Sequence, residues 1–170
     1  MVITDKPTGP SNNLAVCLSG YVLTCLLCVL YAKFNGNALQ VNYGDSWIFT
    51  DLAKRIFFTH SLGMSVTFDL IYPPLYPALI SIAYFFKTQT AIFNAIMTLN
   101  ILAYSSAFIP LYFLFRNYAQ LNKAQAFCGA VLSVINPWSL SYVLKIISEP
   151  LYYPLAAWFT WLLIDRAYLR

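Results

Sequence analysis

The first apolar run, Leu14 to Ala32, holds 19 residues without a charge. As a helix it covers about 28 Å, close to the hydrocarbon thickness of a bilayer. It is longer than the apolar core of a signal peptide, about 7 to 15 residues, and Tyr31-Ala32-Lys33-Phe34 is a poor cleavage site. It therefore reads as a retained anchor, with Lys33 snorkelling at its end. The whole chain agrees: with 60% hydrophobic and 9% charged residues it lacks the polar surface to cover itself in water, so lipid must solvate much of it. Aromatic residues make up 18%, which suits rings at membrane interfaces. The net charge of +4 comes from scattered bases rather than a run, which excludes a nucleic-acid footprint.

Three further spans are expected, at about 91–115, 124–140 and 150–164, after the first at about 14–32. Pro110 should kink the second rather than end it, and Asn136-Pro137-Trp138 should end the third at headgroup depth. The apolar stretch from Leu70 to Phe86 is different, because Pro73, Pro74 and Pro77 punctuate its start. Helix can begin only near Leu75, leaving about 12 residues, or roughly 18 Å, which is too short to cross. The expectation is a helix over 75–86 lying in the interface. A second such helix is expected over 46–60, where Ile48, Phe49, Leu52, Ala53, Ile56 and Phe57 recur at helical spacing opposite Thr50, Asp51, Lys54 and Arg55. The fold class is thus an all-α membrane protein: a polar tail at 1–13, four transmembrane helices, and two interfacial helices in the first extracytoplasmic loop.

Four spans put Lys6, Arg116, Lys123, Arg166 and Arg170 on one side, and Lys33, Lys54, Arg55, Lys87 and Lys145 on the other. The first set lies in short segments against span ends, which favours that side as cytoplasmic. The plasma membrane and the endoplasmic reticulum both suit such a chain. Cys17, Cys25, Cys28 and Cys128 all fall inside apolar segments and read as packing, the redox-like spacing of Cys25 and Cys28 included. His60 is the only histidine, so no zinc-ligand spacing exists, and it reads as a solvated side chain.

Two carboxylates remain, each where an apolar run meets a polar stretch: Asp45 in Gly44-Asp45-Ser46-Trp47 and Glu149 in Ser148-Glu149-Pro150. If residues 70–86 do not cross, both acids share one face of the bilayer. Each has a plainer role. Asp45 directly before an amphipathic helix is a favoured N-cap, and Lys145, four residues before Glu149, offers a local ion pair at helical spacing. Asp69 is a possible third acid, with a turn residue as the commoner reading. Asp51 with Lys54 and Arg55 reads as a solvated helix face, and Tyr72, Tyr76 and the prolines as fixing the loop. A carboxylate at the interface could take a proton from an acceptor hydroxyl or hold a divalent cation, while a lysine neutralises a leaving phosphate.

An N-terminal span, an aspartate opening an amphipathic helix, Pro73-Pro74-Leu75-Tyr76-Pro77, two spans and Ser148-Glu149-Pro150-Leu151 resemble, in that order, the N-terminal portion of the GT-C fold glycosyltransferases that use polyprenyl-phosphate sugars. The likeness is to the protein mannosyltransferases and the lipid A aminoarabinose transferases, and covers nearly all of residues 12–170. It implies transfer of a sugar, mannose among the candidates, from a polyprenyl-phosphate donor to a hydroxyl acceptor on the extracytoplasmic or lumenal side. By the same resemblance Asp45 and Glu149 would be catalytic, Lys145, Asp69 and Tyr72 substrate-binding, and Asp45 the ligand of any divalent cation. Two positions depart from the family pattern. Ser46 stands where many relatives have a second acid, and Ile71-Tyr72 where they have His or Glu-Lys. Members of the family also have more spans. The alternative is a non-catalytic membrane subunit that binds or stabilises a partner glycosyltransferase. A transporter is disfavoured, since only Glu149 and Lys145 would sit near a span.

Overall fold

The computed structural model describes residues 10–35, 45–60 and 73–168, and those residues are helical, with no strand among them. In chain order the helices are α1 (Pro10–Phe34), α2 (Asp45–Thr59), α3 (Leu75–Ser81) with a 3₁₀ extension (Ile82–Phe85), α4 (Gln89–Ser105), α5 (Phe108–Phe113) with a π turn (Leu114–Tyr118), α6 (Lys123–Val134), α7 (Pro137–Val143) and α8 (Glu149–Tyr168). Among the described residues, two segments are long and apolar enough to cross a membrane, Asn13–Phe34 and the continuous path Gln89–Tyr118.

α1 packs in the sense opposite to a water-soluble helix. Its buried face is built of small residues, Cys17, Gly20, Thr24, Cys28 and Ala32, while Leu14, Leu18, Val22, Leu26 and Leu30 point outward. Water penalises that arrangement and lipid does not, because hydrocarbon solvates leucine and close helix approach needs small side chains. The closest approach is at Gly20, where an added Cβ would land on the ring of the fully buried Phe108. Gly20→Ala should therefore destabilise the α1–α5 contact by about 2 kcal/mol, read as a lowered thermal midpoint in detergent. Trimming the ring in a Gly20→Ala/Phe108→Leu double variant should recover part of that loss.

Pro110 acts where expected. It lacks an N–H and its ring crowds the carbonyl of Ser106 four residues earlier, and the chain leaves α-helical geometry at Ser106 and Ala107. There Ser106 and Ala107 donate to Ala103 and Tyr104 in tighter three-residue turns. The path bends and continues, so α4 and α5 form one kinked rod. The apolar stretch 124–140, expected as a single span, is instead two helices, α6 of 12 residues and α7 of 7. Proline explains the break, because the residue before it is pushed out of the α region. Asn136 has ψ 127° and caps α7 by accepting from the Trp138 amide, with Pro137 in the first turn. The end of α6 is then left with open carbonyls, and two tyrosines fill them: Tyr104 Oη donates to Val134 O at 2.8 Å and Tyr153 Oη to Ser133 O at 3.1 Å.

Pairings between helices fix their directions. Gly20 meets Phe108 and Cys28 meets Ser105, so α1 runs antiparallel to the α4–α5 rod. Tyr104 stacks on Tyr153, Phe113 on Trp161, and Tyr118 Oη donates to Asp165, so α8 runs parallel to it. The start of α8 therefore lies at the same end as the start of α4. At that end α2 packs on α3, and α3 with its 3₁₀ extension packs on α4. Phe49, Ala53, Tyr76, Ile80, Ala83, Tyr84, Ile96 and Ile146 form their buried cluster, separate from the larger core between α1, α4, α5, α6 and α7. The proline-rich stretch yields a helix over Leu75–Phe85, about 18 Å long and too short to cross.

Candidate functional site

Asp45 is the first residue of α2 and is exposed. A carboxylate there is favoured by the partial positive charge of the helix N-terminus. Ser46, Phe49 and Ala53 turn inward on the same helix, and Phe49 meets the Tyr76 ring edge-on at 5.2 Å. Asp45 is thus one turn from a ring at the centre of the smaller core. Ser46, which stands where an acid was weighed, is buried.

Tyr76, from Pro73-Pro74-Leu75-Tyr76-Pro77, is 1% exposed and donates from Oη to Asn100 Oδ1 at 3.1 Å. Asn100, itself fully buried in α4, spends its amide protons on the far side: Nδ2 donates to Lys145 O at 3.0 Å and to Val143 O at 3.4 Å. One side chain thus ties the proline-rich motif to the loop carrying the second acid. Burial pushes the Tyr76 phenol well above its ordinary range. The hydrogen bonds to Asn100 and from the Ile147 backbone oppose that shift, and the charge of Glu149 adds to it. Tyr76 is a neutral donor at any physiological pH, and it lies within electrostatic reach of Glu149.

The loop itself departs from expectation. Residues 144–148 are not helical, so Lys145 and Glu149 are not one turn apart on a helix face and form no ion pair among the described residues. The reason is a long-range contact: Asn100 holds the carbonyls of Val143 and Lys145, which a continuing helix would need for its own ladder. Lys145 Nζ lies instead 5.5 Å from the centre of the Tyr142 ring, a cation–π placement. Glu149, the first residue of α8, is exposed and opens onto a groove of about 290 Å³ lined by Tyr104, Tyr142, Tyr152 and Tyr153. Tyr104 and Tyr153 spend their hydroxyls on Val134 O and Ser133 O, so the groove presents chiefly flat apolar ring faces beside one carboxylate, a surface on which a sugar ring can stack.

Asp45, Lys145 and Glu149 are therefore all placed at one end of the bundle. Asp69 and Tyr72 lie outside the described residues. Asp51 pairs with Arg55 at 2.6 Å on the outer face of α2, as a solvated helix face should, and His60 is exposed where α2 ends in a left-handed turn of φ 52°. The cysteines are free thiols, with Cys17 and Cys28 buried in the α1 contact. Among the described residues no three His, Cys, Asp or Glu side chains gather closely enough to hold a metal ion. Asn100 is the residue that periodicity missed. Its signal was present, as a polar amide in the middle of an apolar run has to be satisfied by something.

No family model, curated protein or solved structure matches this chain.

Proposed function

We propose that the chain is a multi-pass membrane glycosyltransferase, or the catalytic N-terminal portion of one. It would move a sugar from a polyprenyl-phosphate donor to a hydroxyl acceptor on the extracytoplasmic side. In this reading α6–α7 and α8 complete a four-span arrangement with α1 and the α4–α5 rod, while α2 and α3 lie along the interface. The observation that carries it is the link from Tyr76 through Asn100 to Lys145 O, which joins the proline-rich motif to the loop before Glu149. Two sequence elements that share no local reason to meet are held together at the end where Asp45 opens α2.

Asp45 takes the proton of the acceptor hydroxyl as its oxygen attacks the anomeric carbon. The bond from that carbon to the phosphate oxygen breaks, and polyprenyl phosphate leaves with the electron pair. The Lys145 ammonium offsets the charge that grows on the phosphate. Glu149 accepts from a sugar hydroxyl while the ring faces of its groove stack against the sugar. The test is transfer in proteoliposomes containing the chain, supplied with a radiolabelled mannosyl polyprenyl phosphate and a hydroxyl-bearing acceptor peptide. Label should move to the acceptor well above the rate in empty vesicles. No difference from empty vesicles, with this donor and with an aminoarabinosyl one, overturns the reading.

A further inference from the structure

At the same end of the molecule, away from the Glu149 groove, lies a second cavity of about 430 Å³ between α2, the 3₁₀ turn and the start of α4. Its polar lining is Trp47, Thr50, Lys54, Tyr84, Lys87 and Gln89. Lys54 and Lys87 come from different elements, and neither forms an ion pair among the described residues. Asp51, the acid of this stretch of α2, pairs with Arg55 at 2.6 Å, so among the described residues neither lysine of the cavity has a carboxylate partner. Its wall is fixed by Tyr84 Oη, which donates to Thr50 O at 3.2 Å. Gln89 opens α4, whose dipole adds the same sign. Trp47, which lines the cavity, is 67% exposed, and an exposed indole of this kind suits headgroup depth.

We propose that this cavity binds the phosphate of an anionic bilayer phospholipid. The two ammonium groups would take the phosphate oxygens, and the Trp47 ring would lie against the glycerol and upper acyl carbons. A free phosphate ion offers the same oxygens without the apolar part, and a choline headgroup carries a cation that the lysines repel. The inference rests on the membrane placement of α1 and α4 and not on sugar transfer, so its readout is binding and not turnover.

The experiment uses the full chain in nanodiscs of phosphatidylcholine, with phosphatidic acid titrated in and the bound lipid counted after affinity capture. Phosphatidic acid should be enriched around the wild type. Each lysine at a charged membrane surface is worth roughly a fivefold change in affinity, so Lys54→Gln/Lys87→Gln should weaken retention by about twentyfold or more. Lys54→Arg/Lys87→Arg should restore it, and Lys123→Gln at the opposite end should leave it unchanged. Inorganic phosphate at millimolar concentration separates the two sources. Displacement of the lipid shows that the site reads the phosphate group itself, and persistence shows that it reads phosphate together with the lipid body; either supports the site. Equal retention by the double glutamine variant, or equal enrichment of phosphatidylcholine, overturns it. Failure of the chain to enter nanodiscs overturns the membrane placement as well.

Discussion

Asp45→Asn should slow sugar transfer at least about a hundredfold while leaving the chain folded and membrane-inserted. The substitution is close to isosteric, and Asn serves a helix start almost as well as Asp. What goes is the charge, which costs the helix no more than about 1 kcal/mol of dipole interaction at an exposed position. The chemistry loses far more, because an amide cannot take the proton of an attacking hydroxyl. Two further features bear on this expectation. Ser46 is buried and carries no acid, so it cannot take over, and Glu149 begins a different helix. The measurement is initial rate in proteoliposomes at saturating donor, with helical content and the thermal midpoint followed in parallel. A variant that transfers within about threefold of wild type, at a normal midpoint, removes Asp45 from the chemistry.

How much of this was legible beforehand depended on the range of the interaction. The α2 boundaries came within a residue of expectation, 46–60 against Asp45–Thr59, because an amphipathic stripe is a local pattern. The bend at Ser106–Ala107 followed from Pro110 by local sterics alone. Pro137 carried the same kind of signal and marks the end of the third apolar run; the chain breaks there, and α7 then resumes over Pro137–Val143. The Lys145–Glu149 spacing misled for a different reason. Reading four residues as one turn assumes a helix, and the hydrogen bonds that hold residues 143–145 in another shape come from Asn100, more than forty positions earlier. The pattern around Tyr76 shows only a loop-fixing aromatic because its partners, Phe49 and Asn100, are also remote in sequence. Periodicity reports which face is apolar. It does not report which buried polar group satisfies which other, and the candidate site is assembled from that second kind of contact.

Asn100→Ala should lower stability by about 3 kcal/mol and release the loop before Glu149. The alanine makes none of the three hydrogen bonds, and it strands the Tyr76 hydroxyl, Val143 O and Lys145 O in a buried setting, where each unmet group costs on the order of 1 kcal/mol or more. Tyr76→Phe alone loses the bond to Asn100 and the one from the Ile147 backbone and should cost about 1 to 2 kcal/mol. In the Asn100→Ala background the same change should cost clearly less, since only the Ile147 bond remains to lose. That non-additivity separates a shared network from two independent packing defects, and simple additivity of the two losses would show that the network is not a unit. The alkaline limb gives a second readout. The unfolded chain ionises Tyr76 near its ordinary value of about 10, whereas the folded chain keeps the proton because burial raises the phenol above that value. Above that pH the unfolded state binds fewer protons than the folded state, so this tyrosine's share of the stability is complete below about pH 10 and is lost as the pH rises further. Tyr76→Phe should flatten that part of the decline. Because the freed loop carries Lys145 and Glu149 out of register with α3, Asn100→Ala should also lower transfer, at temperatures well below its own unfolding midpoint.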